Sequence, residues 1–214
     1  MSERTKTDQT PRLREMGPAP RLLDGLDNVN LPSLQVDPLL ILDMDETLVY
    51  ATTREIPHLN VLTRFEEYTV YERPHLSEFI ASVREQYRVA IWTAAGRDYA
   101  QAVIESVFQN PSQDLDFFWT SERCTTKWDY DSGEFYNRKN LGKVRRSGED
   151  LRQVLIVEDT PKNVADHYGN AIYISPFEGQ ENDRELLKLA AFLGQFRQEG
   201  HEDFRRIEKR WWSE

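Results

Sequence analysis

Short apolar runs that end abruptly in polar residues punctuate this chain. The first, Leu39-Leu40-Ile41-Leu42, runs straight into Asp43-Met44-Asp45-Glu46-Thr47, and a continuous apolar run closed by acids reads as a buried strand. Arg88-Val89-Ala90-Ile91-Trp92-Thr93 repeats the pattern and gives way to Ala94-Ala95-Gly96. Residues 115–120, 151–157 and 171–174 are three further strands, the second closing in Glu158-Asp159-Thr160-Pro161. Between these runs the period lengthens to that of a helix. Leu76, Phe79, Ile80 and Val83 mark one face of a helix over residues 75–87, with Pro74 at its first turn. Tyr99, Val103 and Val107 mark a second over residues 98–109, stopped by Asn110-Pro111. Pro161 opens a short helix, and Leu186, Leu187, Leu189, Ala190 and Leu193 form the core face of a last one over residues 183–197.

Two stretches read as strands without helices. Residues 50–72 end in the β-branched and aromatic segment Glu67-Tyr68-Thr69-Val70-Tyr71 and predict a small β-flap, and residues 127–136 place aromatic arms around Asp131-Ser132-Gly133, a hairpin signal. Alternation of strands and helices implies right-handed crossovers. The expected fold is α/β: a doubly wound, mostly parallel sheet with helices on both faces and a flap and hairpin inserted.

Composition narrows this picture. The 214 residues suit one domain with tails: a polar tail and lead-in over residues 1–36, the domain over 37–199, and a C-terminal tail over 200–214 whose Trp211-Trp212 is expected to pack on the domain edge. With 27 Lys and Arg against 37 Asp and Glu, the net charge of -10 excludes binding of nucleic acid by the overall field. The single cysteine, Cys124, excludes an internal disulfide and a cysteine-based zinc site, and without a His partner it reads as structural. The chain opens on no apolar signal segment and contains no run long enough to cross a membrane, which predicts a soluble intracellular protein.

The chemistry lies at strand ends. In a parallel sheet the C-terminal ends share one edge, so Asp43, Asp45 and Thr47, then Thr93, then Glu158 and Asp159 converge on one crevice. Asp43 and Asp45 are spaced to point the same way from an extended chain. Carboxylates from two strands suit a hard cation such as Mg²⁺.

These residues resemble the haloacid dehalogenase superfamily, and within it the CTD-phosphatase-like branch, also called NLI-interacting-factor-like. The resemblance rests on Asp43-Met44-Asp45-Glu46-Thr47-Leu48-Val49, Arg73-Pro74 with Glu78-Phe79-Ile80, Trp92-Thr93-Ala94-Ala95, Lys139-Asn140-Leu141 and Val157-Glu158-Asp159-Thr160-Pro161. Gly169-Asn170-Ala171-Ile172 and Pro176-Phe177-Glu178-Gly179 also match, so the resemblance spans Pro38 to Leu193. It implies a phosphomonoesterase with an aspartyl-phosphate intermediate: Asp43 as nucleophile, Asp45 as general acid and then base, and Lys139 as the fixed positive charge on the phosphoryl group and on Asp43. Thr93, with Ala94 in the same loop, would hold phosphoryl oxygens. It further implies Mg²⁺ held by Asp43, the backbone carbonyl of Asp45, and Asp159, with Thr47 steadying the loop. Lys143, a few residues on, competes with Lys139 for the motif lysine.

One departure stands out: the branch usually places Asp before Asp or Asn ahead of its Ser/Thr-Pro, whereas this chain has Glu158 before Asp159. That assigns the metal to Asp159 and an outer position to Glu158. The short cap over residues 50–71 leaves the site open, which favours a phosphoserine or phosphothreonine protein over an enclosed metabolite. The rival readings are a phosphatase of a small metabolite or nucleic-acid terminus, with Arg145 and Arg146 as anion contacts, and a catalytically silent binding module on the same fold.

Overall fold

All four residues of β1 (Leu39–Leu42) are buried, and alternate side chains serve two separate cores. Leu40 and Leu42 enter one, Leu39 and Ile41 the other. Period-2 alternation does this to any strand covered on both faces, which is why the run contains no polar side chain before Asp43. The computed structural model describes residues 37–213, and the tail and lead-in expected over residues 1–36 lie outside them.

From β1 the chain enters an antiparallel flap of β2 (Val49–Thr52), β3 (Val61–Phe65) and β4 (Tyr68–Glu72), paired in the order β2-β4-β3. Helix α1 (Leu76–Arg84) carries it back to β5 (Arg88–Trp92). Helix α2 (Arg97–Val107) and the single turn α3 (Pro111–Asp114) lead to the edge strand β6 (Phe118–Trp119). A hairpin of β7 (Thr125–Asp129) and β8 (Glu134–Arg138) and the short α4 (Gly142–Arg146) precede β9 (Val154–Glu158). β10 (Ala171–Tyr173) and α5 (Glu185–Gln198) follow.

The main sheet is parallel, in the order β10-β9-β1-β5-β6. The chain therefore steps to one side of β1, then crosses back to the other. Right-handed crossovers in opposite directions put their covering segments on opposite faces. Accordingly α1, α2 and α5 pack in the first core, while Leu141, Val144 of α4 and Val164 of the kinked 3-10 segment Pro161–Asn170 pack in the second.

Several local expectations shift. α2 buries Ala100, Val103 and Ile104 fully, while Tyr99 and Val107 of the predicted face pack against the core only in part, the Tyr99 hydroxyl reaching Asp45 beyond the strand ends. In α5, Leu187 is exposed and Phe196 takes a core position. Pro74 lies before the first helix rather than in its first turn, since His75, at φ 69, is the cap of α1. The strand expected over residues 115–120 shortens to two residues at the sheet edge.

Residues 200–213 pack against the domain. Phe204 is buried, the Lys209 ammonium donates to the carbonyls of Gly169, Phe204 and Ile207, each at 2.8 Å, and the Trp212 indole donates to the Tyr173 carbonyl at 2.7 Å. Trp211 stays exposed. Gly169 permits this docking, since a Cβ there would meet the Arg205 carbonyl at 2.8 Å. Among the described residues no helix is long and apolar enough to cross a membrane.

One buried ion pair fixes the loop that follows β1. Arg73 is fully buried, and its guanidinium donates to both oxygens of Asp183, at 2.9 and 2.7 Å. The same group donates to the carbonyls of Thr47 at 3.0 Å and Ser175 at 2.9 Å. It thereby ties the turn after Asp45 to the loop ahead of α5. That turn needs holding: Glu46 adopts φ 58, a left-handed conformation uncommon outside glycine, and its carbonyl accepts from the Phe177 amide at 2.7 Å. Removing one partner of a buried pair leaves an uncompensated charge. Asp183→Ala is therefore expected to lower stability by about 3–5 kcal/mol, measured as the shift in urea midpoint, whereas Leu187→Ala, at an exposed position of α5 just beyond it, should move it little.

Candidate active site

Three parallel strands deliver the candidate groups to one edge, at the point where the chain's direction of travel across the sheet reverses, which is where open α/β sheets form their crevices. β1 ends at Asp43 and Asp45, β5 at Thr93, and β9 at Glu158 and Asp159. Lys139 arrives from the far end of the β7–β8 hairpin, positioned by its own amide donating to the Asn163 carbonyl at 2.8 Å.

The Lys139 ammonium has no exposure to solvent and bridges Asp43 and Glu158, the latter at 2.7 Å. Glu158 is otherwise saturated, since its second oxygen accepts from the Asn163 amide at 3.0 Å and from the Thr160 backbone at 3.3 Å. Asp45 has different company. One oxygen accepts from the Tyr99 hydroxyl at 2.6 Å and the other from Thr93 at 3.4 Å. Two acids only two residues apart thus face, respectively, a cation and a pair of neutral hydroxyls.

Thr93 in turn accepts from the Ala95 amide at 3.0 Å, which shapes the turn after β5, and the Asn137 amide reaches the Ala94 carbonyl at 3.5 Å. The Thr47 hydroxyl is buried without a hydrogen-bond partner, and its backbone carbonyl is the one held by Arg73.

Burial governs the electrostatics. It pushes the Asp43 carboxyl up to about 7 even against the opposing pull of Lys139. It also raises Asp45, opposed by the hydrogen bonds from Tyr99 and Thr93. Glu158 and Asp159 are raised by the same loss of solvent, with a further push on Glu158 from Asp43 and on Asp159 from Glu158. For Lys139 burial acts downward, but the charges of Asp43 and Glu158 outweigh it and hold the ammonium above its ordinary range.

Asp43, Glu158 and Asp159 place carboxylate oxygens within 4.8 Å of one another. Three carboxylates around a single ammonium leave surplus negative charge, and an all-oxygen donor set of this kind is compatible with a hard divalent cation. Lys139, Asn163 and Thr160 engage both oxygens of Glu158, whereas Asp43 gives one oxygen to Lys139 and Asp159 one to Thr160, so each of these two keeps an oxygen that could meet it. Asp159 is further held by the Thr160 hydroxyl at 2.9 Å.

The structure thus brings Asp43, Asp45, Thr93, Lys139, Glu158 and Asp159 together, with Thr47 in the loop beneath them. It does not bring Lys143, whose ammonium donates to the carbonyls of Arg123 at 2.6 Å and Cys124 at 3.2 Å at the hairpin root. Arg145 and Arg146 are exposed on α4 without an ion pair among the described residues. The Cys124 thiol is half-buried against the Thr93 carbonyl at 3.7 Å and pushed up by burial, which suits a structural thiol. Sequence reasoning missed Tyr99 and Asn163 as site residues. Each lies in the first turn after a strand that ends at the site, and that position was the available signal.

A parallel sheet of this order, with paired acids beyond its central strand and a lysine fixed between them and the neighbouring strand end, defines a haloacid-dehalogenase-like hydrolase. The model of the NLI interacting factor-like phosphatase family matches residues 38–205, and the chain belongs to that family. It is 33% identical over 160 residues to CTD small phosphatase-like protein 2 of Dictyostelium discoideum, across 72% of this chain and 26% of that protein. It is 32% identical over 182 residues to the putative CTD phosphatase-like protein 355R of Invertebrate iridescent virus 3, across 74% of this chain and 96% of that one. The chain thus spans about a quarter of the first relative and nearly all of the second. The structure of Fcp1, an essential RNA polymerase II CTD phosphatase, superposes with a TM-score of 0.59 at 18% identity, over 76% of this chain and 62% of that one, a likeness of fold.

The raised carboxyl of Asp43 has a consequence for stability. Between the unfolded value of 3.8 and about 7 the folded state holds the proton more tightly, so the contribution of Asp43 to stability is fully present below this window and is lost as pH rises through it. Urea denaturation of chelator-treated protein should show that decline, and Asp43→Asn should flatten it.

Proposed function

We propose that this protein is a divalent-metal-dependent phosphomonoesterase that removes phosphate from phosphoserine or phosphothreonine in protein chains, by way of an aspartyl-phosphate on Asp43. The observation that carries this reading is the contrast between the two acids: Asp43 is paired with a buried ammonium, while Asp45 meets only hydroxyl donors. Environments that separate two carboxyl groups in this way assign nucleophile and proton donor. Family membership and the CTD phosphatases among its relatives support the same class of substrate.

In the first step an Asp43 oxygen attacks phosphorus in line with the ester bond, the phosphorus–oxygen bond to the substrate breaks, and Asp45 gives its proton to the departing oxygen. Burial favours the protonated form of Asp45 that this step needs. In the second step Asp45 takes a proton from water, the hydroxide attacks the phosphoryl group, and the Asp43–phosphorus bond breaks to release inorganic phosphate. Lys139 holds the Asp43 carboxylate in orientation and offsets phosphoryl charge, and Thr93 with the amides of the Ala94–Ala95 turn contacts phosphoryl oxygens. Mg²⁺ held by Asp43 and Asp159, with the Asp45 carbonyl, would keep the nucleophile ionised and offset the charge of the transition state. Glu158 acts through Lys139.

A cavity of about 260 Å³ beside Asp45, lined by Ala51, Phe65, Tyr68 and Tyr99, opens to solvent under the flap. An open, aromatic-walled recess next to a phosphoryl site suits a side chain of an extended polypeptide more than an enclosed metabolite.

Hydrolysis of p-nitrophenyl phosphate tests the reaction. We expect activity that chelation removes and Mg²⁺ restores, and a loss of more than about a thousandfold in Asp43→Asn; activity surviving that substitution would sink the nucleophile assignment. The Tyr99 hydroxyl stabilises the charged form of Asp45, so Tyr99→Phe should raise the Asp45 pKa further and move the pH–rate profile to higher pH. An unshifted profile would remove Asp45 from the proton-transfer role.

A further inference from the structure

We infer that the outer part of the β7–β8 hairpin is a specificity surface of the site proposed above, on which Trp128 and Phe135 receive an apolar side chain of the phosphoprotein at a distance from its phosphorylated residue. The inference rests on the phosphatase reading and adds to it which part of the substrate is read.

Strand alternation makes the argument. Phe135 and Asn137 lie on one face of β8, and Lys139, two residues further, continues that face. Lys139 ends on Asp43, and Asn137 ends on the carbonyl of Ala94 in the turn proposed to hold phosphate. Phe135 is therefore the outward continuation of the crevice wall. Across the ladder, Trp128 pairs with Phe135 in register, their rings edge to face with centroids 4.8 Å apart.

The opposite face is already used. Arg138 pairs with Asp166, and the Lys162 ammonium lies 5.5 Å from the centre of the Tyr136 ring, so that side packs on the Pro161–Asn170 segment. The crevice side is left open: Phe135 is 70% exposed and Trp128 44%. Their edge-to-face contact covers only part of each ring and leaves the rest in water. Large aromatics left in water on one wall of a site are the composition of a recognition surface.

Geometry also sets the reach. Four residues of strand separate Phe135 from Lys139, about 13 Å at ~3.3 Å per residue. An extended substrate covers that span in about four residues. The flap recess at Phe65 and Tyr99 borders the site separately, beside Asp45. The hairpin therefore reads a residue about four positions from the phosphorylated one, beyond the reach of any small phosphomonoester.

The test uses the full chain, the double variant Trp128→Ser/Phe135→Ser, p-nitrophenyl phosphate, and a set of phosphoserine peptides in which one Leu is walked through a Gly-Ser background on both sides. The wild type should show KM about tenfold lower when Leu stands about four residues from phosphoserine. The variant should lose that minimum while its kcat and its p-nitrophenyl phosphate kinetics stay unchanged. A flat profile in the wild type, or a minimum that survives in the variant, would overturn the inference with the phosphatase reading intact. So would sedimentation showing that the aromatics instead join two copies of the chain. Absence of p-nitrophenyl phosphate hydrolysis in the wild type would bring down the phosphatase reading, and the inference with it.

Discussion

A single ammonium organises the site. Lys139 is fully buried, and burying a lone charge would be prohibitive without the two carboxylates that receive it. Those carboxylates come from the ends of β1 and β9, adjacent strands of the sheet, so the ion pair also pins the hairpin root to the two strands whose ends form the crevice. Lys139 cannot offset all the acid around it. The acidic cluster of Asp43, Glu158 and Asp159 is compatible with a divalent cation, whose binding would stabilise the folded chain.

Glu158 gains its meaning from this arrangement. The longer side chain, placed where relatives of this branch usually have Asp, spans from β9 to Lys139 and is completed by Asn163 and Thr160. Asp159, one residue on, is left facing the crevice. Glu158 closes β9 on the ammonium, and Asp159, in the bend just past the strand, keeps a carboxylate oxygen within 4.8 Å of those of Asp43 and Glu158.

The loop carrying Asp43 and Asp45 is held from the other side by Arg73, through backbone carbonyls and Asp183. Since Glu46 adopts a left-handed conformation there, the turn depends on tertiary contacts for its shape. The site thus sits between two buried cations with distinct partners: Lys139 meets the acids Asp43 and Glu158 of the crevice, and Arg73 meets Asp183 and the carbonyls of the scaffold.

Much of this was legible in the residues alone. The apolar runs fixed the strands of the sheet, because a strand buried on both faces tolerates almost no polar side chain, and the acids that end those runs marked the edge where they meet. Flap and hairpin were legible from their aromatic and turn residues. Helix faces were read less well: Leu187 fits the periodic stripe yet is exposed, and Tyr99 only borders the core, since a helix's rotation is set by what it packs against. The pairing of Asp43 with Lys139 was implied by the family resemblance, but the Tyr99 hydroxyl on Asp45 had no signature in sequence. What makes one a partner of Lys139 and the other of Tyr99 is contact between residues about 50 to 100 positions apart; Lys139-Asn140-Leu141 already favoured Lys139 over Lys143 as the motif lysine, and the direction in which the hairpin delivers its end agrees. Sequence determined which groups reach the crevice; only the packing of hairpin, turn and sheet decided which of them touch.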